Sequence, residues 1–195
     1  MVFKNRKLLF LSSFSNTEWA LNGHKRENAN ALIDIFESLL PYIKDGKYLE
    51  LGCGTGILCR FIYLFSKRKI IPYGVDKNPR AIYLAKKNNS EFKDNFIVSD
   101  YFELNESIFS GISTIVMFMA TRKGVWDKSK NIIHTAFRVN NSINIIMFSY
   151  DHDLSNITNF KIIQFISEIK QSMKLIIANS NFLVITKKCK ELILK

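Results

Sequence analysis

The chain is poor in the residues that crosslink or break a fold. Its 195 residues include only three cysteines, Cys53, Cys59 and Cys189. Three scattered thiols build no disulfide framework and fit no zinc spacing, so they read as reduced thiols of a cytoplasmic protein. With three prolines and eight glycines, collagen-like and low-complexity readings are excluded. No run approaches the ~18 consecutive apolar residues of a membrane-spanning helix. Basic Met1–Lys7 followed by apolar Leu8–Leu11 faintly resembles an export signal, but the apolar part is short and Ser12, Ser13 and Ser15 interrupt it. Acids are outnumbered, 17 against 28 Lys and Arg, for a net charge of +11. Such an excess favours an anionic partner such as RNA. Lys, Asn, Ile and Phe are all abundant, however, as an AT-rich coding bias would make them. The location of the cations therefore carries more than their number.

What is present is globular: 47% of residues are hydrophobic and 13% aromatic, enough for one core in one domain. Residues 1–46 read as an N-terminal segment and helix packing on a domain of residues 47–195. Arg26–Ile43 has the apolar stripe of an amphipathic helix that stops near Pro41. From Lys47 onward, strand-like runs alternate with helical ones. Lys47–Leu51, Ile70–Val75, Phe96–Val98, Ile112–Met119 and Ile143–Phe148 read as strands. Ile57–Phe65, Pro79–Asn88, Trp126–Phe137 and Ile157–Ile169 read as helices, with Asn78 capping the second of these. That alternation predicts an α/β fold, a doubly wound and mostly parallel sheet covered on both faces. Met173–Ala178 and Phe182–Thr186, separated by Asn179-Ser180-Asn181, predict a C-terminal antiparallel hairpin.

The chemically informative stretch is Tyr48-Leu-Glu-Leu-Gly-Cys-Gly-Thr-Gly56. A strand runs into a glycine-rich turn and then a helix. Gly52, Gly54 and Gly56 let the backbone turn tightly and approach a ligand, presenting N–H groups and a helix N-terminus. A dinucleotide site wants its third glycine one residue later, where Ile57 stands. Glu50, at the strand end, would repel a pyrophosphate but suits a ligand carrying an ammonium group.

This stretch resembles the first motif of the class I S-adenosylmethionine-dependent methyltransferases. Val75-Asp76 resembles the family's ribose-binding acid at the end of the second strand. Ser99-Asp100-Tyr101-Phe102 resembles its third motif, whose acid accepts from the adenine amino group beside an apolar neighbour. The resemblance runs from about Lys47 to Lys188. It implies a Rossmann-like seven-stranded sheet ending in a hairpin, and an enzyme that uses S-adenosyl-L-methionine. The implied cofactor-binding residues are Glu50, Gly52, Cys53, Gly54, Gly56, Asp76, Lys77, Asp100, Tyr101 and Phe102. Cys53 fills a variable loop position and is no nucleophile. The family's N-terminal segment folds over the cofactor, which brings Trp19, His24, Arg26 and Asn28 into view, with Arg26 expected at the cofactor carboxylate. No metal site is implied.

The methyl acceptor is less legible. After the fourth strand, Met119–Trp126 lacks the Asn/Asp-Pro-Pro-Tyr/Phe motif of nucleobase and glutamine amino-methylating branches. After the fifth, Asp151 and His152 are candidates for a general base. Trp126 reads as a helix-packing residue. Lys67-Arg68-Lys69 lies at the amino edge of the sheet. Lys77, Arg80, Arg122, Lys123 and Lys128 follow strand ends on the ligand side and favour a phosphate-bearing or acidic acceptor. The domain has no inserted cap, which favours a macromolecule, RNA or protein, or a partner subunit that completes the site. A small-metabolite methyltransferase, a non-catalytic scaffold subunit and a nicotinamide oxidoreductase are the competing readings.

Overall fold

A computed structural model describes residues 7, 9–118 and 125–148 and the strand segments 173–179 and 182–187. Five strands form a parallel sheet in the order β3-β2-β1-β4-β5: β1 (Gly46–Leu51), β2 (Ile70–Asp76), β3 (Phe96–Val98), β4 (Ile112–Phe118) and β5 (Asn144–Phe148). Helices α1 (Asn16–Leu21), α2 (Ala29–Leu39), α3 (Ile57–Phe65), α4 (Pro79–Asn88) and α5 (Val125–Val139) precede or connect them. The strand order reverses direction between β1 and β4. Open α/β sheets bind ligands at that switch point, outside the carboxyl ends of the strands.

Side chains alternate across a strand, and β1 shows what that does. Tyr48 joins a core layer with Leu32, Ile33 and Phe36 of α2 and Phe61 and Ile62 of α3. Leu49 and Leu51 join the opposite layer with Ile132, Ile133 and Ala136 of α5 and Ile115 and Met117 of β4. Glu50, in register with Tyr48, therefore points into the α2–α3 side. Asn78 caps α4 as its sequence predicts, its side chain accepting from the Arg80 and Ala81 N–H groups.

The structure departs from the sequence reading in three places. The expected single helix over Arg26–Ile43 is split: a 3-10 turn at Arg26–Asn28, then α2, then a 3-10 turn at Leu40–Tyr42. Pro41 has no N–H to give the Glu37 carbonyl, so Leu40 N–H takes it instead and the last turn tightens. The second departure is α1. Ser15 and Glu18 form a reciprocal capping box that starts it. Ahead of it, Leu11 and Phe14 are buried in the α2–α3 core layer. Third, two 3-10 turns, Tyr101–Glu103 and Glu106–Phe109, stand between β3 and β4 where doubly wound folds carry a helix. The expected helix at 157–169 lies outside the described residues. Among the described residues no helix is long and apolar enough to cross a membrane.

Candidate active site

The turn between β1 and α3 is shaped by three glycines with left-handed backbones, Gly52 (φ 81°), Gly54 (φ 52°) and Gly56 (φ 71°). Side chains rarely adopt that region, so glycine is what lets the chain reverse here. Gly52 N–H and Cys53 N–H both donate to the Val75 carbonyl, at 2.8 and 3.0 Å, which ties the turn to the end of β2. Asp76 locks it further. One carboxylate oxygen accepts from Gly54 N–H at 2.9 Å, and the other from Asn78 N–H at 2.8 Å. A carboxylate oxygen accepts more than one hydrogen bond, so both retain acceptor capacity.

Asp76 lines a cavity of about 100 Å³ together with Trp19, Asn22, Glu50, Gly52 and Gly54. Its roof is the α1 segment, held by side-chain amides. Asn22 Oδ1 accepts from Thr55 N–H at 3.1 Å, and Asn22 Nδ2 donates to Thr55 Oγ1 at 2.5 Å. Asn88 Nδ2 donates to Glu18 and to the Thr55 carbonyl, both at 3.0 Å. The clamp is close: a Cβ on Gly54 would lie 2.1 Å from Asn22 Oδ1.

Glu50 is the unusual group of the cavity wall, 8% exposed. Cys59 donates its S–H to Glu50 Oε2 at 3.0 Å. Burial pushes the Glu50 carboxyl up to about 8, Asp76 adds to the rise, and the Cys59 hydrogen bond takes back part of it. A buried carboxylate normally has a cation beside it. Among the described residues no lysine or arginine perturbs this one. Burial and the charges of Glu50 and Asp76 keep the Cys53 thiol protonated. Cys53 sits against the Gly74 backbone, consistent with a packing role.

Asp100 caps the turn at Tyr101–Glu103 by accepting from Phe102 N–H at 2.9 Å. Tyr101 Cε1 lies 3.8 Å from where a Gly52 Cβ would sit, and its ring centroid is 4.3 Å from that of Phe102. Burial, with the charges of Asp100 and Asp76, raises the Tyr101 hydroxyl. Asp100, Tyr101 and Phe102 line a second cavity of about 240 Å³, where Lys128 Nζ stands 5.2 Å over the Phe102 ring. Tyr101 thus lines the second cavity and stands near Gly52, which lines the first.

The methyltransferase domain family matches residues 43–192. The chain belongs to that family. It is an S-adenosylmethionine-dependent methyltransferase. No curated protein matches it. Among solved structures, it is similar to a protein of Pyrococcus horikoshii provisionally named an RNA methyltransferase, at TM-score 0.61 and 17% identity over 98% of this chain and 99% of that one. An rRNA methylase of Streptococcus thermophilus aligns at TM-score 0.54 and 14% identity over 82% of this chain and 96% of that one. A precorrin-6y C5,15-methyltransferase of Geobacter metallireducens aligns at TM-score 0.53 and 13% identity over 82% and 88%. At these identities the likeness is one of fold.

The methyltransferase's own residues fit the family's methyl donor. A buried carboxyl group that no cation among the described residues neutralises suits its ammonium group. Gly52 and Gly54 bring bare backbone to the cavity wall, which suits main-chain contact with a ligand, and Asp76 stands there with acceptor capacity to spare. Of the predicted residues, Glu50, Gly52, Gly54 and Asp76 gather at the first cavity, and Asp100, Tyr101 and Phe102 at the second. Lys77 is exposed just beyond Asp76, and Gly56 starts α3 rather than lining the cavity. Arg26 is turned elsewhere: its guanidinium donates to the Ser12 carbonyl on the surface. Trp19 and His24 do line the first cavity. Asn22 and Thr55 were not foreseen, because Asn22-Gly23 reads only as a turn. Asp151, His152, Arg122 and Lys123 lie outside the described residues, as do the side-chain surroundings of Trp126.

Proposed function

We propose that this methyltransferase transfers a methyl group to RNA, holding S-adenosylmethionine along the carboxyl edge from Glu50 to Asp100. Bound there, the donor supplies an activated sulfonium methyl. Glu50 takes its ammonium group, the N–H-rich turn at Gly52–Gly56 its backbone approach, Asp76 the ribose hydroxyls and Asp100 the adenine amino group. Tyr101 and Phe102 flank the adenine. The observation that carries this reading is Glu50, a buried carboxyl group in a cavity beside Asp76 that no lysine or arginine among the described residues neutralises. The protein's main contribution is then orientation, worth roughly 7–11 kcal/mol when the reacting atoms are aligned. Asp151 or His152 serves as base where the acceptor must lose a proton.

RNA as acceptor is supported by the names of two structural neighbours and by the cations Lys77, Arg80 and Lys128 near strand ends. The sheet is completed by β6 (Met173–Asn179) and β7 (Phe182–Lys187) as an antiparallel hairpin beside β5. What supports this is their pairing register, Leu175 opposite Ile185 and Ile145 opposite Ile185.

Calorimetric titration tests the donor, and labelled donor in fractionated cell extract tests the acceptor. Saturable binding of S-adenosylmethionine and S-adenosylhomocysteine without binding of NAD is expected, with label entering a nuclease-sensitive fraction. Saturable binding of NAD alone overturns the donor assignment. Label found only in small molecules overturns the RNA assignment.

A further inference from the structure

Helix α4 presents a surface that the donor site does not use. Ala81, Ile82 and Ala85 form its buried side. Its outer side carries Arg80, Tyr83, Lys86 and Lys87, all exposed. Residues three and four apart share a helix face, so Arg80, Tyr83 and Lys87 form one stripe with Lys86 beside it. Tyr83 is 70% exposed and falls between Arg80 and Lys87 along the stripe. Large aromatic rings are usually buried for their area, so this one has no packing role to explain it. No acid occurs from Lys77 to Ser90.

Several other basic side chains among the described residues are paired with acids. Arg60 makes two hydrogen bonds to Glu91, at 3.0 and 2.9 Å, and Arg138 pairs with Glu106. Arg80, Lys86 and Lys87 form no ion pair with a described residue. Glu18 lies within the electrostatic reach of Lys87. Burial pushes its carboxyl up, but hydrogen bonds from Ser15 and Asn88 and the charge of Lys87 outweigh that and hold it low.

The stripe is also well placed. Asn78, which caps α4, gives its N–H to Asp76, so the helix starts at the donor cavity. It then runs away from the carboxyl edge for roughly 15 Å, at ~1.5 Å per residue. Cations that pair with phosphates, alternating with a ring on which a base can stack, are the elements of single-strand recognition. An acidic peptide would use the cations and leave the ring idle. The amino-edge cluster Lys67-Arg68-Lys69 lies at the other end of the sheet, and there Arg68 is within 3.6 Å of Asp45.

Resting on the RNA reading above, we infer that the outer face of α4 docks a single-stranded segment of the RNA acceptor, with Tyr83 stacked on a base and Arg80, Lys86 and Lys87 on the flanking phosphates. Fluorescence anisotropy with a labelled 20-nucleotide single-stranded RNA of mixed sequence tests it, with S-adenosylhomocysteine affinity measured in parallel. Tyr83→Ala is expected to weaken RNA binding about tenfold, the scale of one lost stacking contact, and Tyr83→Phe to restore it. Arg80→Gln with Lys86→Gln is expected to flatten the slope of log affinity against log salt by about 1.4, at ~0.7 per phosphate contact. Both variants should keep the parent affinity for S-adenosylhomocysteine.

If these variants bind and methylate RNA as the parent does, the docking face is elsewhere while the RNA reading survives. Loss only in Lys67→Glu with Lys69→Glu has the same meaning. If the parent binds polyglutamate as tightly as RNA and Tyr83→Ala changes neither, the face serves an acidic protein and the inference fails. A parent protein that binds no RNA overturns both the inference and the acceptor reading, and leaves the donor assignment to its own titration.

Discussion

Glu50→Gln is expected to weaken S-adenosylhomocysteine binding at least about 30-fold while stabilising the ligand-free protein at pH 8. The two effects have one cause. The ligand's ammonium group would meet a carboxylate in a cavity shielded from water, and removing one member of a buried charge pair costs about 2–5 kcal/mol. Without ligand, the same carboxylate is a liability. Its value near 8 lies above the 4.5 of an ordinary glutamate, so the folded protein holds a proton that the unfolded chain releases. Stability from this group is therefore complete below about pH 4.5 and declines as pH rises towards 8, by up to about 1.4 kcal/mol per unit. Glutamine is neutral throughout and removes that slope. Urea unfolding at pH 5, 6.5 and 8 should show parent and variant converging at the acid end and diverging at pH 8. Parallel curves would mean that Glu50 is ionised in the free protein. Ligand binding, which favours the ionised form, should in turn tighten with pH up to about 8 in the parent and stay flat in the variant.

Gly56→Ala is expected to cost about 2–4 kcal/mol of stability, several times the effect of Gly23→Ala. Both glycines have nearly the same backbone, φ 71° and 75°, so the strain of placing alanine there is similar, about 1 kcal/mol. Their surroundings differ. Nothing lies within 4 Å of a Cβ on Gly23. On Gly56 it would meet Asn89 Nδ2 at 2.6 Å and Ala85 Cβ and Cα at 3.2 and 3.3 Å. Asn89 is fully buried, and its Nδ2 already donates to the Gly56 and Ala85 carbonyls. Neither it nor the α4 backbone yields without separating α3 from α4. Urea midpoints for the two variants measure the difference directly. Equal losses would show that backbone strain alone governs the turn. Because α4 starts at the Asp76 cavity, the Gly56 variant should also lose donor affinity, whereas the Gly23 variant should not.

These two residues also mark how far the sequence could be read. Gly56, Glu50, Asp76 and the Asn78 cap lie within one strand-turn-helix or strand-helix unit. Each obeys a local rule about φ, capping or strand ends, and such rules are visible in a string of letters. The Asn22–Thr55 clamp joins residues 33 positions apart and follows no spacing rule, so it was invisible. The Ser15-x-x-Glu18 capping box was visible in principle and marks α1. The buried members of the apolar stripe over Arg26–Ile43 are mostly Leu32, Ile33, Phe36 and Leu39, all within α2, so the flanking 3-10 turns, neither of which buries a residue, left no mark in the pattern. The family resemblance expects Arg26 at the cofactor carboxylate, but the fold brings the Ser12 carbonyl within its reach. The raised Glu50 carboxyl could not be read at all. It depends on α3 closing over the strand end and burying it, which is a property of packing.

A crystal structure with S-adenosylhomocysteine bound tests the central claim most directly. The ligand's ammonium nitrogen is predicted within about 3 Å of a Glu50 carboxylate oxygen, its ribose hydroxyls on Asp76, and its backbone approach at Gly52 and Gly54. A ligand seated away from the β1–α3 turn, with Glu50 still bonded only to Cys59, would contradict the account.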